Sequence, residues 1–139
     1  MHFKTQIFKT QMFAGLALLL CAAPAFGHHS FAMFDQTKTM RVSGTVADYN
    51  WMNPHTWIHV TVADGQGNSV TWSFEASSTG RLSASGWSPD MVAVGDSVEV
   101  EFNPLRDGTP GGQVRTLHLS NGTELCNGAE CRERLGLPE

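Results

Sequence analysis

A chain of 139 residues has room for one domain, and 41% hydrophobic residues is ordinary for a soluble globular protein. A net charge of −4, from 13 acidic and 9 basic side chains, leaves no basic surface for non-specific nucleic-acid binding. No segment approaches the ~20 apolar residues of a spanning helix, so neither nucleic acid nor a membrane span is expected.

Residues 1–27 read as a signal peptide: Lys4 and Lys9 precede the apolar run Phe13 to Ala23, followed by Pro24 and the small residues Ala25 and Gly27. Two cleavage points satisfy the small-residue rule. Cutting after Gly27 makes His28 the new amino terminus, and cutting after Ala25 leaves Phe26 and Gly27 ahead of it. Leu20 before Cys21 is too large for a lipoprotein signal, so the expected product is a soluble periplasmic protein. Losing Lys4 and Lys9 leaves 7 basic against 13 acidic residues, a net charge of −6.

From Met40 the pattern alternates with the period of strands. The first strand runs to about Trp51, with Val42, Gly44 and Val46 on one face, and Asn53-Pro54 ends it. The second spans His55 to Ala63, where Ile58, Val60 and Val62 oppose Trp57, His59 and Thr61. After the loop Asp64 to Asn68, the third runs from Ser69 to Ala76 and sets Val70, Trp72 and Phe74 against Thr71, Ser73 and Glu75. A short helix over Thr79 to Ser85 follows. The fourth strand, Ser97 to Asn103, points Val98, Val100 and Phe102 inward and Glu99 and Glu101 outward, and the fifth, Gln113 to Ser120, carries Leu117 and Leu119. Three meandering strands, a helical connection and two more strands predict an all-β fold, a small five-stranded OB-like barrel over residues 28–125. An open sandwich of similar strands is the alternative. In such a barrel the loops Tyr49 to His55 and Pro104 to Gly112 flank the usual binding face.

Residues 126–139 form a tail. Cys126 and Cys131 survive processing as an even pair, and in an oxidising compartment a local disulfide is the favoured reading over a thiolate metal site. It is expected to pin the tail rather than hold the core.

The remaining histidines suit a metal. If His28 is the terminal residue, its amine and ring nitrogen chelate one copper ion together, and a further histidine completes a brace-like site. His29 and His55 are the next candidates, then His59 and Met52, with Met33 and Met52 offering thioethers of the kind that suit Cu(I). His55 and His59 on one extended strand would stand ~13 Å apart, too far for one ion, so at most one joins the N-terminal pair. Pro54 fixes its own φ and biases Asn53 to extended geometry, which would hold His55 in few orientations. The bland alternatives are that the histidine pair is a solvated tail, His59 and His118 are half-exposed strand residues, and the four tryptophans are core or cap residues.

No nucleophile elbow, HExxH helix or phosphate-cradling glycine loop is present, and the outward Glu75, Glu99 and Glu101 define no acid–base pair. An enzyme is not expected.

The strings HHSFAMFD, VSGTV, NPHTWIHV, WSFE, the GW-SP stretch and VGDSVEV together resemble a bacterial exported family catalogued as domain of unknown function 6152. The resemblance covers His28 to about Leu125 and implies export and the fold, with no activity attached. Members show Ala before the histidine pair where this chain has Gly27, and the Cys126/Cys131 tail looks like an addition. The leading expectation is therefore an exported, non-enzymatic protein that binds copper through His28, His29 and His55. The rival is an interaction module that holds a small molecule, glycan or protein on a barrel face formed by Trp51, Asn53, Trp57 and Arg106.

Overall fold

The computed structural model describes residues 31–137, all of them from Ala32 onward in one compact unit. The signal peptide, its cleavage points and His28 and His29 lie outside the described residues. The elements in chain order are β1 (Met40–Asn50), β2 (Trp57–Ala63), β3 (Ser69–Glu75), α1 (Thr79–Ala84), β4 (Ser97–Pro104), β5 (Gly111–Leu119), β6 (Glu124–Cys126) and α2 (Ala129–Arg134). Antiparallel pairing runs β3-β2-β1-β4-β5-β6, and a parallel pairing of β3 with β5 closes the first five strands into a barrel. The expected five-stranded barrel, with one short helix between the third and fourth strands, is the fold.

Alternation of apolar residues fills the interior. Val46, Ile58, Val60, Phe74, Val100, Phe102 and Leu117 are buried, with Leu82 of α1 and Trp87 joining the same core. Phe102 is the hub: its ring meets Phe74 edge-on at 5.0 Å between centroids and Trp72 at 5.7 Å, geometries that favour aromatic pairs beyond the area they bury.

Two bulges reset which residues face inward. Val46 pairs with Val60 but Asp48 with His59, which leaves Ala47 extra in β1. Even-numbered residues therefore face inward before the bulge and odd-numbered ones after it, so Tyr49 and Trp51 pack against the core. In β5 the residue left extra is Arg115, and inward positions pass from Val114 to Leu117 and Leu119.

The barrel closes where backbones approach closely. A Cβ on Gly111 would lie 2.1 Å from the Ser73 carbonyl oxygen, and one on Gly112 2.2 Å from that of Asn103. Only glycine fits either position, and Gly111 also has φ of +144°.

The C-terminal segment is more than a tail. Leu125 is in the core, the expected boundary between Leu125 and Cys126 falls inside β6, and the buried Trp87 indole donates to the Cys126 carbonyl at 2.8 Å. Cys126 and Cys131 form a disulfide. It draws α2 over the outer face of β5, where the buried Thr116 hydroxyl donates to Cys131 Sγ at 3.2 Å. The disulfide pins this segment as a cover over the barrel wall rather than as a loose end. That cover went unpredicted because three strand residues and a six-residue helix carry too little periodicity to read.

Gly111→Ala is expected to destabilise the protein by at least about 1–3 kcal/mol, through clash and backbone strain. Gly80→Ala, in α1 with open space around it, should be neutral or stabilising by up to about 1 kcal/mol. Denaturant unfolding of the two variants checks this. Both cysteines should resist alkylation until reduced, and reduction should lower stability by about 2 kcal/mol, measured by thiol labelling and unfolding in parallel.

Candidate functional site

The loop from Trp51 to Thr56 joins β1 to β2 and is tied down at both ends. Asn53 Oδ1 accepts hydrogen bonds from the Thr79 backbone N–H at 3.1 Å and the Thr79 hydroxyl at 3.0 Å, which fixes the loop to the start of α1. Thr56 is fully buried; its N–H donates to Ser77 O at 3.2 Å and its carbonyl accepts from Ala76 N–H at 2.8 Å. The Asn53–Pro54 peptide is cis. His55 stands between these ties. The strand begins at Trp57 rather than at His55, since the backbone at Thr56 still bonds to the chain leaving β3 and not to β1.

His55 points to the outer side of the barrel with 34% of its side chain exposed, and its Nδ1 lies 2.8 Å from Glu75 Oε1. Among the described residues its Nε2 has no partner. Glu75 is an outward position on β3, yet it is only 7% exposed. By register it stands between Trp57 on β2 and Gln113 on β5. Burial pushes its carboxyl above the usual carboxylate range, and the proximity of His55 pulls it back only in part.

The same face continues along β2. The Trp57 and His59 rings are parallel within 10° at 6.4 Å between centroids, and His59 Nδ1 is 3.0 Å from Ser73 Oγ. His55 and His59 thus have separate partners, in line with the spacing that kept them off one ion. His118, on β5, pairs through Nδ1 with Glu124 of β6 at 3.3 Å. Met52 is exposed in the β1–β2 loop and Met33 is exposed further upstream.

Other expected face residues serve the scaffold. Trp51 is partly buried against the core, because the bulge at Ala47 turned it inward. Arg106 holds the upstream segment: its Nε donates to Ala32 O at 3.1 Å and its N–H to Met33 O at 2.9 Å. Residues 32–38 accordingly lie along the β4–β5 loop, where Phe34 bridges to Leu105 and Asp35 N–H bonds Pro104 O. They do not cross the loop that carries His55. Within that segment the Thr37 hydroxyl, then Lys38, hold the Asp35 carboxyl down to about 2.

No three His, Cys, Asp or Glu side chains converge among the described residues in a way that would hold a metal ion. No helix among them is long and apolar enough to cross a membrane. What the structure brings together here is the pair His55 and Glu75, of which only His55 was expected. Glu75 was missed because alternation marks it as outward, which reads as exposed, and the closure beside β5 that buries it leaves no local signal.

A family model described as Family of unknown function (DUF6152) matches residues 17–115. The chain belongs to this family. No curated protein and no solved structure matches it. The matched DUF6152 region contains His55, Glu75, Trp57 and His59, and ends within β5, so β6, the disulfide and α2 lie beyond it.

A buried carboxyl with a raised native value binds protons that the unfolded chain has already released. Stability should therefore fall as pH rises from the ordinary carboxylate range through the native Glu75 value. Relative to E75Q, the wild type should lose unfolding free energy as pH rises above the ordinary glutamate value of about 4. Chemical denaturation of both across that range reads the difference, and a wild type that gains on E75Q with rising pH would contradict the burial effect.

Proposed function

We propose that this member of the family is an exported, periplasmic, non-enzymatic binding protein whose ligand is a metal ion, copper first, held by His55 together with His28 and His29. The observation that carries this reading is the state of His55: a ring fixed in a loop tied at both ends, one nitrogen engaged by a buried carboxylate, the other without a partner among the described residues. Ligating histidines are held in this way. One donor, His55 Nε2, does not make a copper site, so in this proposal the remaining ligands come from the amine and ring of His28, and from His29. Met52, exposed in the same loop, is the supplementary donor in this proposal, and His59 is an alternative to His55 rather than a ligand beside it.

A second reading is favoured by one specific observation, the parallel Trp57 and His59 rings beside His55 and Glu75. It makes the same face a seat for a small molecule or glycan without metal.

The exported chain is expected to begin at His28 and to bind one copper ion, with quenching of tryptophan fluorescence. His28→Ala and His55→Ala should each weaken binding by more than the roughly 10- to 100-fold that loss of a supporting group brings. Intact mass with and without copper fixes the start and the stoichiometry. Unchanged copper titrations in both variants would remove the metal reading and leave the aromatic face.

A further inference from the structure

We infer that Glu75 is the positioning residue that makes His55 Nε2 the electron-pair donor of this face, and so selects an electron-pair acceptor, a transition-metal cation, over an anionic ligand. Once Glu75 is ionised, the geometry fixes the proton. An ionised carboxylate has only lone pairs to offer, so with Oε1 2.8 Å from Nδ1 the neutral ring must carry its hydrogen on Nδ1. Nε2 is then left with its lone pair, on a side chain one-third exposed and without a partner among the described residues.

Glu75 is suited to impose this state. Its backbone is locked between β2 and β5 by the pairings to Trp57 and Gln113, and Gln113 Oε1 is engaged by Gln36 Nε2 at 2.9 Å. His55 is the group with which its carboxylate pairs among the described residues. When a cation draws electron density from Nε2, the Nδ1–H becomes more acidic and its bond to the buried carboxylate strengthens. A carboxylate or phosphate ligand would instead meet the negative charge of Glu75 behind the ring.

The identity of the ligand rests on the metal reading above, whereas the position of the proton does not. The decisive measurement is long-range ¹H–¹⁵N correlation of the His55 ring in the metal-free exported protein above neutral pH. The expected spectrum shows a protonated Nδ1 and a lone-pair Nε2. E75Q, whose amide oxygen still accepts from Nδ1–H, should keep this tautomer, and E75L should lose it. Copper affinity should fall roughly 10- to 100-fold in E75L and recover in part in E75Q. A wild-type ring protonated on Nε2, or a tautomer that E75L leaves unchanged, overturns the inference; the wild-type spectrum decides even if E75L fails to fold. The expected tautomer with copper binding indifferent to His55→Ala sustains the role of Glu75 and overturns the metal reading alone.

Discussion

The structure depends on a parallel contact three residue pairs long. Ser73, Phe74 and Glu75 of β3 lie beside Gly111, Gly112 and Gln113 of β5, and this pairing closes the first five strands into a barrel. Closure gives the last three residues of β3 a partner, where an edge would otherwise present unpaired backbone groups, and leaves β6 as the outer strand. It also demands that β3 and β5 approach without a side chain between them, which Gly111 allows at Ser73, while Gly112 allows the neighbouring approach to Asn103 of β4. The aromatic cluster of Phe74, Phe102 and Trp72 sits at the same level, so backbone closure and the densest ring packing are one event. The unusual environment of Glu75 follows from it. A carboxylate on the outer side of an edge strand would be solvated; at the closure it has a strand on each side.

Much of the fold was legible because period-2 alternation is a direct record of burial. Ile58, Val60, Phe74, Val98 and Val100 sit where alternation places them. The errors have local causes. Trp51 reads as a face residue from its place in the first loop, whereas a single extra residue, Ala47, inverts the parity of the rest of β1 and turns it to the core without leaving a mark in composition. Val70 is exposed despite its alternation with Trp72 and Phe74, since it lies next to the β2–β3 hairpin. The segment from Glu124 onward pairs with β5 through three residues, fewer than alternation needs to show itself.

The site was legible only in part, and for a different reason. His55 can be singled out from Asn53-Pro54-His55, as proline restricts the loop that presents it. Its partner is twenty residues away and belongs to a position type that carries no signal in a single sequence. Arg106 and Asn53 show the converse: both are polar loop residues of the kind that binds ligands, and both are occupied in holding the chain itself, Arg106 on Ala32 and Asn53 on Thr79. Residue type narrows what a side chain can do, while the pairing in the folded chain decides whether it is free to do it.

These scaffold duties are what give the candidate face its rigidity. The β1–β2 loop has no hydrophobic core of its own, so its order comes from polar ties to α1 and to the chain leaving β3. Such ties hold only while α1 is seated, and α1 is seated by Leu82 in the barrel core. Trp87 completes the same packing and donates to the carbonyl of Cys126, which belongs to β6. The orientation of a surface histidine is thus linked, through buried contacts, to a C-terminal segment outside the region that the family model matches. Each link is a hydrogen bond or a packed side chain of ordinary strength, worth about 1 kcal/mol or a few. The rigidity of His55 is therefore a property of the closed barrel with its cover in place, rather than of the loop that carries it.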